Sequence, residues 1–337
     1  MRKSMTALAA VFMFTACDGN PFVTEDTTAE TTDTTTTDTT TGVTSDRTLP
    51  PGTTSPTATS GIVRFEAEDG TGNGFAQSYS YNSTSDTFTV DNLPFDGDNT
   101  YNRDALVGSL GPYAVYENTT PILDPVNGSP ITQFQNKALY GVSTSGQTEF
   151  AVVRTGSYVN YGFGGFVYQR NGDVTLPTTG QAIFTGNYAA LRDFEGAGGL
   201  NYVTGDMNIA IDFEDFNSGS GVRGEVNNRR IFDATGADIT AGEIARYNAT
   251  GNSSITALPT MRFVIEPNVA DANGEIVGNI NSFITDNNGN VVEFETGNYY
   301  AIVSGTNANE IVGIIVTTSN IGTTVTARDT GGFILYR

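Results

Sequence analysis

The sequence predicts an all-β protein, with a small eight-stranded antiparallel up-and-down β-barrel preceded by an irregular β-rich N-terminal domain. Two observations point there. Apolar and polar residues alternate with period two over short runs, which is the pattern of half-buried strands. Each run is bounded by Gly, Asn, Asp or Ser, the residues that close antiparallel pairs through tight turns.

The barrel is read from residues 176–337. Eight candidate strands fall at about 180–190, 200–214, 220–227, 260–266, 275–284, 291–304, 309–318 and 323–336. In "MNIAIDF" the alternation sets Ile209, Ile211 and Phe213 on one face. In "TMRFVIE" it sets Met261, Phe263 and Ile265 against Arg262, Val264 and Glu266. "IVGIIVT" is apolar on both faces near Val312 to Val316, so one side is expected to pack on a neighbouring domain. Turn signals stand at Asn252-Ser253, Asn273-Gly274, Asn288-Gly289 and Gly331-Gly332. Closure into a barrel removes exposed strand edges. An interior of this size is filled by side chains or holds one small ligand. A membrane-spanning barrel would need an apolar outer band, and Asp212, Arg262 and Glu266 interrupt one.

Residues 61–175 form the N-terminal domain. "GIVRFEAE" alternates Ile62, Arg64 and Glu66 with Val63 and Phe65, and "DTFTVDN" puts Phe88 and Val90 together. "PYAVYEN", "ALYGVS", "EFAVVRTG" and "GGFVYQR" are further strands, and only "AGEIARYN", Ala241 to Asn248, reads as a helix. The Tyr-rich stretches Ser78–Asn82 and Ser157–Arg170 are expected to line a core, with an adaptable contact surface as the alternative.

Residues 1–16 read as a signal peptide: Arg2 and Lys3, then the apolar run Met5 to Phe14. That run is shorter than the ~20 residues of a membrane span. Phe14-Thr15-Ala16-Cys17 resembles a bacterial lipobox, with Phe14 in place of the usual Leu or Val. The resemblance implies lipidation of Cys17, the sole cysteine, and a stable anchor in the membrane. The expected location is the cell envelope, anchored to the outer membrane and surface-displayed; Asp18 leaves inner-membrane retention open. Residues 17–60 read as a disordered tether. Eighteen of the 37 residues from Thr24 to Ser60 are threonine, too polar to offset the entropy of ordering. As a coil this stretch spans roughly 35 Å.

Composition narrows the function. Net charge is −21, which repels phosphate backbones and argues against a nucleic-acid partner. Histidine is absent and the only cysteine precedes the body. Ser-His-Asp and Cys-His catalysis, His-ligated zinc and thiol redox chemistry are therefore not expected, nor is any cofactor.

The segment "GNYYAIVSGTNANEIVGII" resembles a motif of the transferrin-binding-protein-B-like surface lipoproteins, with Gly297, Tyr299, Gly305, Ala308, Glu310 and Gly313 in order. Extra residues separate the aromatic pair from Gly305, and Thr306 stands where the family has proline. The ending "DTGGFILYR" resembles the family's closing barrel strand, and Thr185 to Arg229 resembles its opening strands. This likeness spans roughly residues 180–337. It implies a lipid-anchored envelope protein that binds an unknown protein or small solute through its loops. Relatives capture host iron or complement proteins; that ligand is not carried over.

Acidic clusters offer other chemistry. Asp96–Asp104, Asp212–Asn217 and Asp286–Glu295 carry oxygen ligands at close spacing, as calcium would want. Turn chemistry explains them more cheaply, since Gly289 is fourth in its loop rather than sixth. A carboxylate enzyme acting on carbohydrate would draw on Asp212, Glu214 and Asp215. Neither Gly-rich stretch, Gly70–Gly74 nor Gly162–Gly165, leads a helix to cradle phosphate. The preferred expectation is non-catalytic binding at the envelope; the rivals are that enzyme and a structural envelope protein with no specific ligand.

Overall fold

The computed structural model describes residues 48–337 apart from 92, 94–97, 121, 132–134, 157–159, 218 and 320–324. The expected signal peptide, Cys17, most of the tether, Asp96 and Ser157–Val159 lie outside the described residues. All described residues belong to one compact unit, Gly42–Arg337.

The N-terminal domain holds β1 (Ile62–Phe65), β2 (Ser78–Asn82), β3 (Thr87–Asp91), β4 (Thr100–Arg103), β5 (Ser109–Leu110), β6 (Tyr113–Glu117), β7 (Ile122–Leu123), β8 (Pro130–Ile131), β9 (Lys137–Val142), β10 (Thr148–Arg154) and β11 (Gly164–Arg170). Nine of these form one sheet in the order β1-β11-β10-β9-β6-β4-β3-β2, with β5 on β6; β7 and β8 make a separate hairpin. The two Gly-rich stretches are packed together, with Gly164 N donating to Gly72 O at 3.0 Å.

The second part is a closed barrel of β12 (Gln181–Phe194), β13 (Ala197–Asp212), β14 (Val222–Asp233), β15 (Met261–Phe263), β16 (Glu275–Thr285), β17 (Val291–Ser304), β18 (Glu310–Ser319) and β19 (Ala327–Tyr336). Each strand pairs antiparallel with its sequence neighbour, and β12 pairs with β19 to close the wall. Helix α1 (Thr240–Thr250) lies between β14 and β15. The eight-strand expectation holds, with strand ends moved by a few residues. β14 runs on to Asp233, six residues past its expected end, and β15 stops at Phe263; Ile265 is 53% exposed instead of facing inward with Met261 and Phe263.

The interior is filled. Inward residues such as Phe184, Tyr188, Ile209, Met261, Ile280 and Phe333 form one apolar cluster. Tyr299 stacks flat on Phe263, ring centroids 3.5 Å apart. At one level the filling is charged: Arg192 donates to Asp329, and Arg229 donates to Glu295. Tyr247 of α1 completes that layer, accepting from Arg192 at 3.1 Å and meeting Phe294 edge-on. The pairing register gives adjacent residues opposite fates. Arg192 pairs with Asp329 inside, whereas Asp193 pairs with Arg328 on the outer face, because successive side chains point to opposite sides of a strand.

One face of the N-terminal sheet packs on the barrel's outer wall. Ile62, Leu139, Phe150, Val152 and Phe166 meet Leu191, Ile302, Val312, Ile314 and Ile334 in a second cluster. The doubly apolar run in β18 is explained: Ile311 and Ile315 fill the barrel while Val312 and Ile314 face the sheet. Gly331-Gly332 is not a turn. Both residues sit in mid-β19, and a Cβ on Gly332 would fall 2.1 Å from the Phe150 ring. Gly332 permits close approach between the two parts and Gly331 close packing against Tyr188 and Ala190 of β12, uses of strand glycine that resemble a turn signal in sequence.

Polar bonds hold the same interface. Arg64 forks onto Glu275, and the Tyr113 hydroxyl donates to Asn187 O at 2.7 Å. Arg170 gives its guanidinium to backbone carbonyls of Asn273 and Val303 in the barrel and of Thr57 and Ser60 upstream. Thr53 N also bonds Val63 O. Residues 50–60, grouped with the tether by composition, are thus hydrogen-bonded to the body. The far face of the sheet buries Phe88, Val90, Tyr101 and Tyr116 in a third cluster.

Candidate functional site

Between the two parts runs a cleft of about 720 Å³, within the ~300–1,000 Å³ common for small-ligand sites. One wall is the loop after β4 together with β5, with Leu106, Val107, Ser109 and Leu110. Asp104 builds that loop. Its Oδ1 accepts the amides of Leu106 and Val107 at 2.8 and 3.0 Å, and its Oδ2 accepts Lys137 Nζ at 2.6 Å and the Tyr202 hydroxyl at 3.0 Å. Burial opposes the Asp104 charge, but Lys137 and the two amides outweigh it and hold the carboxyl below its usual range. Tyr202 belongs to β13, so the loop is fixed against the barrel as well as to its own sheet.

The opposite wall is the outer face of β12, β13 and β14 with the 233–236 turn. A β-bulge interrupts the β13–β14 register between Thr204 and Asp206, and Asn228 beside it takes φ +49°. Asparagine tolerates that left-handed conformation better than most residues. Asn187 and Asp206 are cross-strand partners, and Asn228 Nδ2 donates to Asp206 Oδ2 at 2.8 Å. An amide, a carboxylate and a second amide therefore stand in a row across three neighbouring strands, all exposed. At the end of that wall Arg230 lies over Phe232, 5.3 Å from the ring centroid, and pairs with Asp238.

The residues singled out in the sequence lie elsewhere. Asp212 is at the β13–β14 end, accepting from Gln181 Nε2 and Glu214 N; Glu214 and Asp215 are exposed there, and none of the three lines the cleft. Asp104 is engaged by Lys137, and Asp98 accepts Thr100 N. Asp286 caps its own turn, accepting Asn288 N and Asn290 N at 2.9 and 2.8 Å, with Gly289 at φ +85°. Among the described residues, no three acidic side chains converge as a metal site. Glu310 is 2% exposed and accepts from Ser143 and Ser145 of the β9–β10 turn, so it joins the two parts. Of the tyrosines, Tyr168 is core, while Tyr81 on edge strand β2 is 39% exposed. Sequence reading missed the cleft residues. The "VNNRR" stretch, Val226 to Arg230, was the available signal: a polar Asn-Asn break inside an otherwise alternating strand.

No family model matches the chain, and no curated protein matches it. Solved structures do. In fold the chain is similar to transferrin-binding protein B. A mutant of that protein from Haemophilus parasuis Hp5 aligns with TM-score 0.38 and 13% identity, covering 82% of this chain and 46% of that one. The isotype 1 protein of serogroup B Neisseria meningitidis aligns with TM-score 0.35 and 11% identity, covering 82% and 43%. Intact Ap-TbpB, with N and C lobes, gives 0.32 and 14%, covering 68% and 39%. The chain thus spans less than half the length of each.

Proposed function

We propose that this chain is a lipid-anchored bacterial envelope protein that binds a ligand, without turnover, in the cleft between its sheet and its barrel. The observation that carries the reading is the cleft itself. The loop wall is fixed by the bonds of buried Asp104, yet the barrel wall exposes side chains with hydrogen-bonding capacity to spare. A rigid concave surface with a few oriented polar groups is what reversible recognition requires. Cys17, with the apolar run before it and the Thr-rich stretch after it, supplies the anchor and the spacing. The barrel acts as scaffold: its interior is packed, part of its outer wall lies under the sheet, and other outward positions carry Asn208, Glu225, Arg262 and Asn298. Such a wall does not suit lipid.

Two measurements test this. Labelling with an alkyne fatty acid in a Gram-negative host should mark the wild type and not Cys17→Ser; equal labelling ends the lipid assignment. Full-length protein should capture a component of envelope extract or culture medium, and Ser109→Trp, which fills the cleft, should abolish that capture. Unchanged capture would place binding elsewhere.

A further inference from the structure

The chemistry of the cleft wall narrows the ligand, and this step rests on the binding role proposed above. We propose that the cleft is a carbohydrate site, in which Asn187, Asp206 and Asn228 grip hydroxyls of an uncharged oligosaccharide. A row of amide, carboxylate and amide offers donors and acceptors side by side, as adjacent hydroxyls require, since each hydroxyl both gives and accepts a hydrogen bond. Asp206 uses Oδ2 to accept from Asn228, leaving Oδ1 open to the cleft; the Asn187 side chain is exposed on the same face. Facing them, the exposed Leu106 presents an apolar surface to the C–H face of a sugar ring, with the exposed Ser109 in the same wall.

Other ligand classes fit less well. An extended peptide would need a free strand edge, but at the row both edges of β12 and of β13 are already paired. An anion would need an open cation. Arg230 is the basic residue of the lining; it is exposed but shared with Asp238 and the Phe232 face, leaving an anion one partly neutralised cation. The net charge of −21 adds a repulsive field.

The test uses detergent-solubilised full chain on an array of neutral glucan, mannan and galactan oligosaccharides beside sialylated and sulfated ones. The strongest neutral binder is then titrated by calorimetry. We expect retention of neutral glycans, a loss of about ten-fold or more in affinity for Asp206→Ala, and no binding by Ser109→Trp. Both variants should melt with the wild type, since both positions are exposed. Failure to retain any neutral glycan, or affinity untouched by either variant, overturns the assignment. If extract capture is blocked by Ser109→Trp while the array is blank, the ligand class is wrong and the binding role stands. If neither responds, both fall.

Discussion

Arg64 and Glu275 lie 211 residues apart in the chain and meet as a two-pronged buried pair, Nε to Oε1 at 2.6 Å and Nη2 to Oε2 at 2.7 Å. The pair ties the first strand of the sheet to the barrel. Removing one partner leaves the other charged and dry, at a cost of about 3–5 kcal/mol. Glu275→Gln should therefore lower the melting temperature by roughly 2–4 °C for each kcal/mol lost. The double variant Arg64→Met, Glu275→Leu should recover much of the loss. A wild-type melting curve for the single variant would show that the pair is not holding the interface.

Gly332 is the point where Phe150 presses on the barrel wall. Gly332→Val should destabilise by about 1–3 kcal/mol through overpacking. Combining it with Phe150→Ala should cost less than the two single effects summed, because the ring that clashes is gone. Additive losses in denaturant titrations would refute this contact.

Tyr247 closes the charged layer of the barrel from α1. Tyr247→Ala should cost about 3–5 kcal/mol, as for other large buried aromatics. Tyr247→Phe keeps the edge-on contact with Phe294 and gives up only the bond to Arg192, a loss of about 1.5–3 kcal/mol. Equal losses for the two would mean that the hydroxyl, and not the ring, is what matters.

Acid should loosen the interface. Burial opposes the charges of Asp104 and Glu66, but Lys137 with the loop amides, and Arg154, outweigh it and hold both carboxyls below their usual range. Acids depressed in the fold add stability that is complete above their unfolded pKa, about 4, and is lost as pH falls through the folded value. The melting temperature should drop on acidification below about pH 4. Asp104→Asn should start lower at neutral pH and fall less steeply. Parallel curves for the two proteins would exclude Asp104 as a contributor.

The barrel's eight strands, their topology and helix α1 were legible because they depend on local alternation and turn residues, which sequence displays directly; β2, β4, β5, β7 and β8 of the N-terminal domain, short or lacking apolar alternation, were not. The double-sided run at Val312 to Val316 even announced a second packing partner. The Gly331-Gly332 pair misled, since glycine marks a turn and a close approach alike, and only the position of Phe150 tells them apart. Asp104 was read as a loop acid; the lysine and tyrosine that hold it come from strands far along the chain.

Sequence by itself determined the class of protein and the faces that turn inward on each strand. Tertiary structure decided which charges would be buried together and where a ligand could sit. The physical reason is register: Asn187, Asp206 and Asn228 belong to three strands and become neighbours only when those strands pair with one particular offset. A pattern of period two fixes the face of each side chain, but not the residue that will stand beside it.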